Sequence, residues 1–345
     1  MQNPSGAARA FVVGGDISSS GAVEYPFEGT ISTAKIFSDP LSAKAVSRLA
    51  AHALKSNDTT PPLLEVDPEP ASTATVGAAY TVPAGVAGDD SGAAAVTIAV
   101  SGPIGEGVLI EPGVIEPPSA GAYTLVYTAL DAAGNATELE HAVTVKEPAP
   151  VATTAPSITG TAEVGGILFA RPGEWDAEAL TFGYRWTANG AELEGESGSA
   201  LRVGASLNGA EIAVTVTASG SDSWPGTAGA PAVAVESLPM WQADRVYVSG
   251  DRVLHDGRVF VAQWWTKGAL PGTADRKGIV HGAWAEVGVE VSTASGVVRT
   301  WTPSWIYTGG ETVVHEGDLY RAKWWTRSQE PGAAKHSAWT DLGER

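Results

Sequence analysis

Apolar and polar residues alternate over short stretches along most of the chain, and turn-forming residues separate these stretches. Four of them, at residues 79–82, 95–100, 123–128 and 141–145, have the two-residue period of half-buried strands. A further alternation runs over residues 210–217, after an Asn189-Gly190 pair of the kind that closes tight hairpins. The pattern predicts a mainly β chain, built as a string of small modules.

The exception to this pattern lies near the N-terminus. Ser42 can cap a short helix whose apolar stripe follows at three- and four-residue spacing and consists of Val46, Leu49, Ala50, Ala53 and Leu54. Residues 27–42, with "F-x-G-x-I" and then "x-L-S", resemble the closing strands of a laminin-G or concanavalin-like jelly roll. The resemblance implies that residues 1–56 are the end of such a domain. We therefore expect the chain to be a C-terminal fragment of a longer protein.

Two segments, 62–147 and 151–237, resemble bacterial immunoglobulin-like repeats. The first carries "G-x-Y-x-x-x-Y-x-A-x-D-x-x-G-N" from Gly121 to Asn135, and the second carries "Y-x-W-x-x-x-G" from Tyr184. Each is expected to form a β-sandwich. Asp131 suits a hairpin turn, with calcium binding as in cadherin-like modules as the alternative. Trp186 suits the core between two sheets, with a surface platform for a ligand as the alternative.

The last hundred residues repeat with a period of 60. Twelve residues recur unchanged in type: Trp241, Tyr247, Gly250, Val253, His255, Gly257, Ala262, Trp264, Trp265, Thr266, Pro271 and Gly272 match Trp301, Tyr307, Gly310, Val313, His315, Gly317, Ala322, Trp324, Trp325, Thr326, Pro331 and Gly332. Phe260 becomes Tyr320, and Trp284 recurs as Trp339 after a loop shortened by five residues. This is a tandem duplication, which predicts module 1 at residues 240–288 and module 2 at 300–344, with residues 289–300 as a linker.

Nine of the twelve tryptophans lie in this duplicated region. A unit this small needs large aromatic residues to build a core without disulfides. The tryptophans at the two ends of each unit are therefore expected to be structural: Trp241, Trp284, Trp301 and Trp339. Tyr247, Tyr307, Phe260 and Tyr320 are expected in the same cores, and His255 and His315 are expected to support the hairpin turns rather than to bind a metal.

The adjacent pairs Trp264-Trp265 and Trp324-Trp325 need another explanation. Neighbours on a strand point to opposite faces, so one core cannot hold both. Strand alternation places Trp265 and Trp325 on the exposed face. An exposed tryptophan forfeits a side chain that could bury about 150–250 Å², and its flat ring suits the apolar face of a sugar.

Both units resemble carbohydrate-binding modules of families 5 and 12, the type-3 chitin-binding domains. The pattern, as module 1 carries it, is a Trp, then "Y-x-x-G-D-x-V" from Tyr247 and "G-x-x-[FY]-x-A-x-W-W-T" from Gly257, then Pro-Gly and a final Trp; module 2 departs from it in lacking the Asp. The resemblance implies chitin as first ligand and cellulose or another insoluble β-glycan as second. It also implies binding through Trp264, Trp265, Trp324 and Trp325, with both members of each pair partly exposed. Trp305, aligned with Arg245, is a candidate third platform in module 2.

Charge and composition narrow the functional classes. The net charge of −18 lies in residues 1–240, which hold 9 basic and 27 acidic residues, whereas residues 241–345 hold 12 of each. Such a balance lacks the basic face of a nucleic-acid binder and suits an uncharged partner. The chain has no cysteine, so it offers no disulfide or thiolate site. No apolar run approaches the roughly 18 residues of a membrane-spanning helix.

No catalytic motif is recognisable, and the six histidines are scattered singly. We expect no cofactor, no bound metal and no membrane insertion, and we expect a monomer. The first hypothesis is the accessory tail of a secreted, extracellular polysaccharide-degrading enzyme, with its export signal outside this chain. The second is an adhesin or surface protein that uses the same modules without an enzyme. The third is a hydrolase within residues 1–240.

Overall fold

The computed structural model describes residues 16–17, 23–24, 42–44, 58–89, 92–273, 282–334 and 337–344. The chain divides into two compact units, Met1–Val145 and Lys146–Arg345. In the N-terminal segment, β1 (Asp16–Ile17) pairs antiparallel with β2 (Val23–Glu24). Ala43 and Lys44 are helical, but the rest of the predicted helix and the predicted jelly-roll strands lie outside the described residues.

The first unit contains a β-sandwich that follows the predicted alternation. Its strands are β3 (Leu63–Val66), β4 (Thr73–Thr75), β5 (Tyr80–Val82), β6 (Gly85–Asp89), β7 (Gly92–Ala93), β8 (Ala95–Gly102), β9 (Gly105–Ile110), β10 (Gly113–Ile115), β11 (Gly121–Leu130) and β12 (Ala136–Lys146). A five-stranded sheet of order β4-β12-β11-β8-β9 packs with a three-stranded sheet β3-β6-β7 and the pair β10-β5. All four predicted strands of this region are confirmed.

Alternate residues of β11 form the centre of this core. Tyr123, Leu125 and Tyr127 are buried together with Ile98 and Val143 of the neighbouring strands. A buried phenol needs a hydrogen-bond partner. Tyr127 meets that need by donating to the carbonyl oxygen of residue 83 at 3.1 Å.

Asp131 forms the turn after β11. Its Oδ1 accepts hydrogen bonds from the backbone N–H groups of Ala133, Gly134 and Asn135 at 2.7–2.8 Å, and its Oδ2 accepts one from the Asn135 side chain. Gly134 has a positive φ of 97° but Asn135 does not, so Asn135 contributes its side chain and not a left-handed backbone. Burial raises the pKa of the Asp131 carboxyl, but these hydrogen bonds outweigh burial and hold the pKa below its ordinary value.

The second unit begins with another sandwich. Its strands are β13 (Ala152–Thr154), β14 (Ser157–Gly160), β15 (Ile167–Arg171), β16 (Glu174–Trp175), β17 (Thr181–Ala188), β18 (Ala191–Glu192), β19 (Ala200–Arg202), β20 (Glu211–Ser219), β21 (Gly226–Gly229) and β22 (Val233–Ala234), with a short 3₁₀ turn at Ala205–Leu207. One sheet has the order β18-β17-β20-β21, with β22 also paired to β20; β14-β15-β19 form a second sheet, and β13-β16 pair separately.

Trp186 is the central residue of this second core. It is fully buried among Leu168, Leu201, Ile212 and Val214, and its indole N–H donates to the Gly198 carbonyl at 2.8 Å. The core interpretation of Trp186 is therefore confirmed. Asn189 and Gly190 both have positive φ, 50° and 82°, as the predicted tight hairpin between β17 and β18 requires.

The duplicated modules have matching strands. Module 1 contains β23 (Val246–Tyr247), β24 (Arg252–His255), β25 (Arg258–Ala262), β26 (Thr266–Lys267) and β27 (Trp284–Glu286); module 2 contains β30 (Ile306–Tyr307), β31 (Thr312–His315), β32 (Asp318–Ala322), β33 (Thr326–Arg327) and β34 (Trp339–Glu344). In each module the last strand pairs with one side of the central hairpin. The strand before the hairpin and the strand after it form a separate two-stranded sheet, β23 with β26 in module 1 and β30 with β33 in module 2. The two hairpins pair in the same register. His255 lies opposite Arg258 in module 1, and His315 lies opposite Asp318 in module 2.

The segment between the modules departs from expectation. Residues 289–300 were predicted to be a linker, but they form the antiparallel hairpin of β28 (Glu290–Thr293) and β29 (Gly296–Thr300). β29 also pairs in parallel with β31, so this linker hairpin extends the sheet of module 2 to five strands. Val291 and Val298 pack on Val314 and Leu319, and this apolar contact explains why the segment is ordered.

The prediction of a mainly β chain made of many small sheets is confirmed. The helical segments in the described part of the chain are too short or too polar to cross a membrane.

Candidate functional site

Both members of each tryptophan pair are exposed. The relative exposure is 48% for Trp264 and 63% for Trp265, and 54% for Trp324 and 61% for Trp325. These are the most exposed tryptophans among the described residues, and they occupy equivalent positions of the duplicated unit. Large aromatic side chains left in water at two equivalent positions indicate a surface that a ligand covers.

One sequence-based expectation about these pairs is wrong. Strand alternation placed Trp264 and Trp324 on the core face, as continuations of Phe260-Ala262 and Tyr320-Ala322. The strands β25 and β32 instead end at Ala262 and Ala322, and the pairs follow in a bend. Alternation stops where the strand stops, so both rings of a pair can face solvent. Partial exposure of both members is what the family resemblance implied.

The bend that carries each pair is fixed at both ends. Before it, Gln263 N–H donates to the Ala283 carbonyl at 2.8 Å, and Lys323 N–H donates to the Ala338 carbonyl at 2.7 Å. After it, the buried Thr266 and Thr326 begin the short strands that pair with Tyr247 and Tyr307. The rings therefore project from an anchored backbone, and little conformational entropy of the main chain is lost when a ligand binds.

The last tryptophan of each module is structural, as predicted. Trp284 and Trp339 are 2% and 3% exposed, and each packs edge-on against the tyrosine of its own module, with ring centroids 5.0 and 5.1 Å apart. Their indole N–H groups donate to the Ala269 and Gln329 carbonyls.

Trp241 and Trp301 are partly buried against the same cores. His255 and His315 pack edge-on against them, at 5.4 and 5.0 Å. His315 Nε2 also lies 3.1 Å from Glu330 Oε1. The two histidines thus join the central hairpin to the first tryptophan of each module, which supports their predicted structural role.

The two hairpin turns use different residues in the same conformation. Asp256 and Gly257 have φ values of 46° and 75°, and Glu316 and Gly317 have 50° and 101°. A left-handed backbone is unfavourable for glutamate, so the turn of module 2 is strained at Glu316. The register of the hairpin nevertheless remains that of module 1.

A lysine lies beside one of the exposed rings. Lys323 Nζ lies 5.9 Å from the centroid of the Trp324 ring and donates to the Ser337 carbonyl at 3.1 Å. Lys267 and Arg321 are exposed nearby in sequence. Such donors beside a flat ring can reach hydroxyl and carbonyl oxygens at the edge of a ligand stacked on it.

Trp305 lies in a different environment from the two pairs. It is partly buried against the core of module 2, and it lines a cleft of about 680 Å³ with Val261 and Val287 of module 1 and with Arg299 and Glu163. Of the described residues, neither Trp324 nor Trp325 lines this cleft. The aligned Arg245 of module 1 instead packs over the Tyr247 ring at 5.4 Å.

Among the described residues, two groups of side chains could hold a metal ion. Asp131 has carboxylate oxygens within 4.8 Å of those of Asp58 and Asp89, and a second group comprises His315, Glu316 and Glu330. The first group is compatible with calcium binding at Asp131, which is the alternative to the turn. The hydrogen bonds of Asp131 fit the turn interpretation. In the second group the hydrogen bond and the ring contact of His315 account for its position.

Sequence reasoning missed the contacts that join the modules to each other and to the second sandwich. Ser304 Oγ accepts a hydrogen bond from Glu286 N–H at 2.8 Å, and Thr302 Oγ1 donates to the Glu286 carbonyl at 2.8 Å. Thr302 and Ser304 are both buried. The only available signal was a difference between the repeats, because module 1 has Gln242 and Asp244 at these positions.

Comparisons with known proteins agree with this geometry. Residues 240–285 and 300–340 match the sequence model of carbohydrate-binding module family 5/12, and these segments contain both tryptophan pairs. The chain is 36% identical over 103 residues to Chitinase A of Pseudoalteromonas piscicida, which covers 29% of this chain and 12% of that protein. It is 27% identical over 128 residues to Endoglucanase A of Evansella cellulosilytica, which covers 27% of this chain and 25% of that protein.

The chain therefore spans no more than a quarter of the length of these two curated relatives. Among solved structures, the fibronectin(III)-like modules of Clostridium thermocellum CbhA match 51% of this chain and 95% of their own, at 15% identity and a TM-score of 0.28. The part of the chain that carries the two exposed tryptophan pairs, residues 240–285 and 300–340, is thus similar to carbohydrate-binding modules of family 5/12.

Proposed function

We propose that modules 1 and 2 bind insoluble chitin through Trp264, Trp265, Trp324 and Trp325, and so attach a secreted polysaccharide-active protein to its substrate. The observation that carries the proposal is the exposure of both rings at both copies of the pair, between 48% and 63%. An indole ring offers a flat apolar face that matches the axial C–H face of a pyranose. The anchored bend keeps that face in place.

The charge of the modules supports an uncharged ligand. Residues 241–345 carry equal numbers of acidic and basic side chains, so a charged polymer has no net attraction to them. The names of the relatives favour chitin first, through the chitinase, and a β-glucan such as cellulose second, through the endoglucanase. An accessory role in an extracellular enzyme fits both relatives.

A sedimentation assay tests the proposal. The full chain is mixed with insoluble chitin, cellulose, starch or xylan, and the protein left in the supernatant is measured. We expect depletion by chitin, weaker depletion by cellulose and little by starch or xylan. The control is the variant with Trp264, Trp265, Trp324 and Trp325 all replaced by alanine, which should remain in the supernatant. Wild-type protein that stays in the supernatant over chitin contradicts the proposal.

A further inference from the structure

A partly buried ionic junction holds module 1 and the linker hairpin to the second sandwich. Its centre is Glu163, in the loop between β14 and β15, whose carboxylate accepts hydrogen bonds from Arg252 of module 1 and from Arg299 of the linker hairpin. The carboxylate side chain is 15% exposed. Burial raises the pKa of Glu163, but the two arginines outweigh burial and hold it below the ordinary value, so the carboxylate stays charged and paired.

A second carboxylate fixes the linker hairpin itself. The Glu290 side chain accepts hydrogen bonds from Thr161 Oγ1 at 2.8 Å and from Ile167 N–H at 3.0 Å. Its backbone N–H donates to the Gly165 carbonyl at 2.7 Å, and its carbonyl accepts from Arg202 at 2.8 Å. Every polar group of Glu290 is thus bonded to the sandwich, and the residue is buried.

Apolar contacts accompany these polar ones. Val164 and Leu238 of the sandwich side form a buried cluster with Leu254 and Val259 of module 1. Module 2 is joined to module 1 through the buried Thr302 and Ser304, described above. The sandwich, the linker hairpin and both modules therefore share contacts at one junction, whereas a flexible tether would leave the modules free to reorient.

We propose that Glu163 and Glu290 are positioning residues that preset the two tryptophan pairs for an ordered, insoluble polymer surface. The inference rests on the proposed function and names its ligand class: a face of packed chains, on which both modules bind at once. Two sites joined by a flexible linker have an effective concentration in the range of about millimolar, and a fixed arrangement that matches the ligand exceeds this. A short soluble oligomer occupies one module and gains nothing from the fixed arrangement.

The test compares two ligands and one pair of variants in the full chain. In Glu163→Lys/Glu290→Lys, each new cation faces Arg299, and Glu163→Lys also faces Arg252, so the junction opens. The matched control is Glu192→Lys/Glu211→Lys on the exposed sheet of the same sandwich, where Glu192 pairs with Arg185 at 3.5 Å. Both variants change the net charge equally. Dissociation constants are measured on crystalline chitin and on the soluble N-acetylglucosamine hexamer.

We expect the junction variant to bind crystalline chitin about tenfold more weakly and the hexamer within about twofold of the wild type, while the control keeps both affinities. Unchanged affinity on crystalline chitin, or equal losses on both ligands, overturns the positioning role. Wild-type protein that binds neither ligand overturns the proposed function instead, so the two failures are distinguishable. Thermal melting of each variant separates an opened junction from an unfolded module.

A cross-link provides the rescue experiment. A Cβ built on Gly165 lies 3.9 Å from the Cβ of Val289, close to the separation that a disulfide requires, and the natural chain has no cysteine to compete. Adding Gly165→Cys/Val289→Cys to the junction variant should restore wild-type affinity on crystalline chitin when oxidised and lose it when reduced. The reduced form controls for strain at Gly165, whose φ is +91°. Equal affinity of the oxidised and reduced forms contradicts the proposal.

Discussion

Replacing two tryptophans of module 1 by alanine, one at a time, should separate stability from binding. Trp284 is 2% exposed, packs edge-on against Tyr247 and donates a hydrogen bond to the Ala269 carbonyl. Truncation of a buried tryptophan costs about 3–5 kcal/mol through lost contacts and the cavity left behind. A unit of this size has a total stability of only a few kcal/mol, so Trp284→Ala should unfold module 1.

Trp265→Ala should leave the stability of module 1 nearly unchanged and weaken binding. The side chain is 63% exposed, so its loss should change the free energy of unfolding by about 0.5 kcal/mol or less. An aromatic residue at the centre of a binding surface contributes about 2 kcal/mol or more, which corresponds to roughly a 30-fold change in the dissociation constant. On a short soluble oligomer, module 1 should lose about that factor.

The assay uses scanning calorimetry for stability and binding isotherms on the soluble hexamer for affinity. Trp325→Ala and Trp339→Ala are the matched changes in module 2, where the relative exposures are 61% and 3%. Because the modules can compensate for each other, the hexamer isotherms are best measured with the other pair already replaced by alanine. A large drop in melting temperature for Trp265→Ala, or wild-type affinity of that variant, would refute the assignment of roles.

Three further predictions concern salt, the turn of module 2 and acid. Retention on chitin should change by less than about twofold between low and high salt, because exposed charges are screened over about 3–10 Å in this range and the ligand is uncharged; elution by salt would indicate a charged polymer. Glu316→Asn should stabilise module 2 by up to about 1 kcal/mol, since Asn-Gly suits the left-handed turn, whereas Asp256→Asn should change module 1 little; calorimetry measures both. The lowered pKa of Glu163 stabilises the fold above the unfolded value of about 4.3, and this stability is lost as pH falls through the folded pKa. The melting temperatures of wild type and Glu163→Gln should therefore differ at pH 7 and converge in acid; a gap that persists in acid would refute this assignment.

The sequence was sufficient to predict the strands of the first sandwich and the cores of the modules because both depend on local regularities. Alternation identified the strands of the first sandwich, and the Asn189-Gly190 pair identified a hairpin whose backbone has the expected positive φ at both residues. The duplication, with its loop shortened by five residues, placed Trp284 and Trp339 in equivalent cores, where the structure has them. Each of these predictions uses neighbours close in the chain or an exact repeat.

The prediction for the tryptophan pairs failed at a strand end. Alternation requires a continuous strand, and nothing in "A-x-W-W-T" shows that pairing ceases at Ala262 and Ala322. The family resemblance avoided the error because it carried information about the bend. Residues 289–300 did contain a local signal, since Ser295-Gly296 separates two short runs of β-branched residues, but their polar composition also suited a linker. Contact with Val314 and Leu319 decided the outcome.

The two repeats differ in sequence at the start of each module. Module 2 begins with Trp301-Thr302-Pro303-Ser304-Trp305, whereas module 1 begins with Trp241 followed by Gln, Ala, Asp and Arg. The backbone is equivalent, because Gln242 and Thr302 each donate their N–H to the tyrosine hydroxyl of their own module, at 2.7 and 2.6 Å. The side chains differ in what they contact.

In module 2 these side chains face module 1. Thr302 and Ser304 bond the backbone of Glu286, and Trp305 lines the cleft beside Val261 and Val287. The residues that both modules share form the cores and the exposed pairs, and the residues that diverged at the start of module 2 form its contact with module 1. If the two copies acted independently, burial of Ser304 and Thr302 against module 1 would serve no purpose. The separation of shared residues from contact residues therefore argues that the two modules act together as one binding surface.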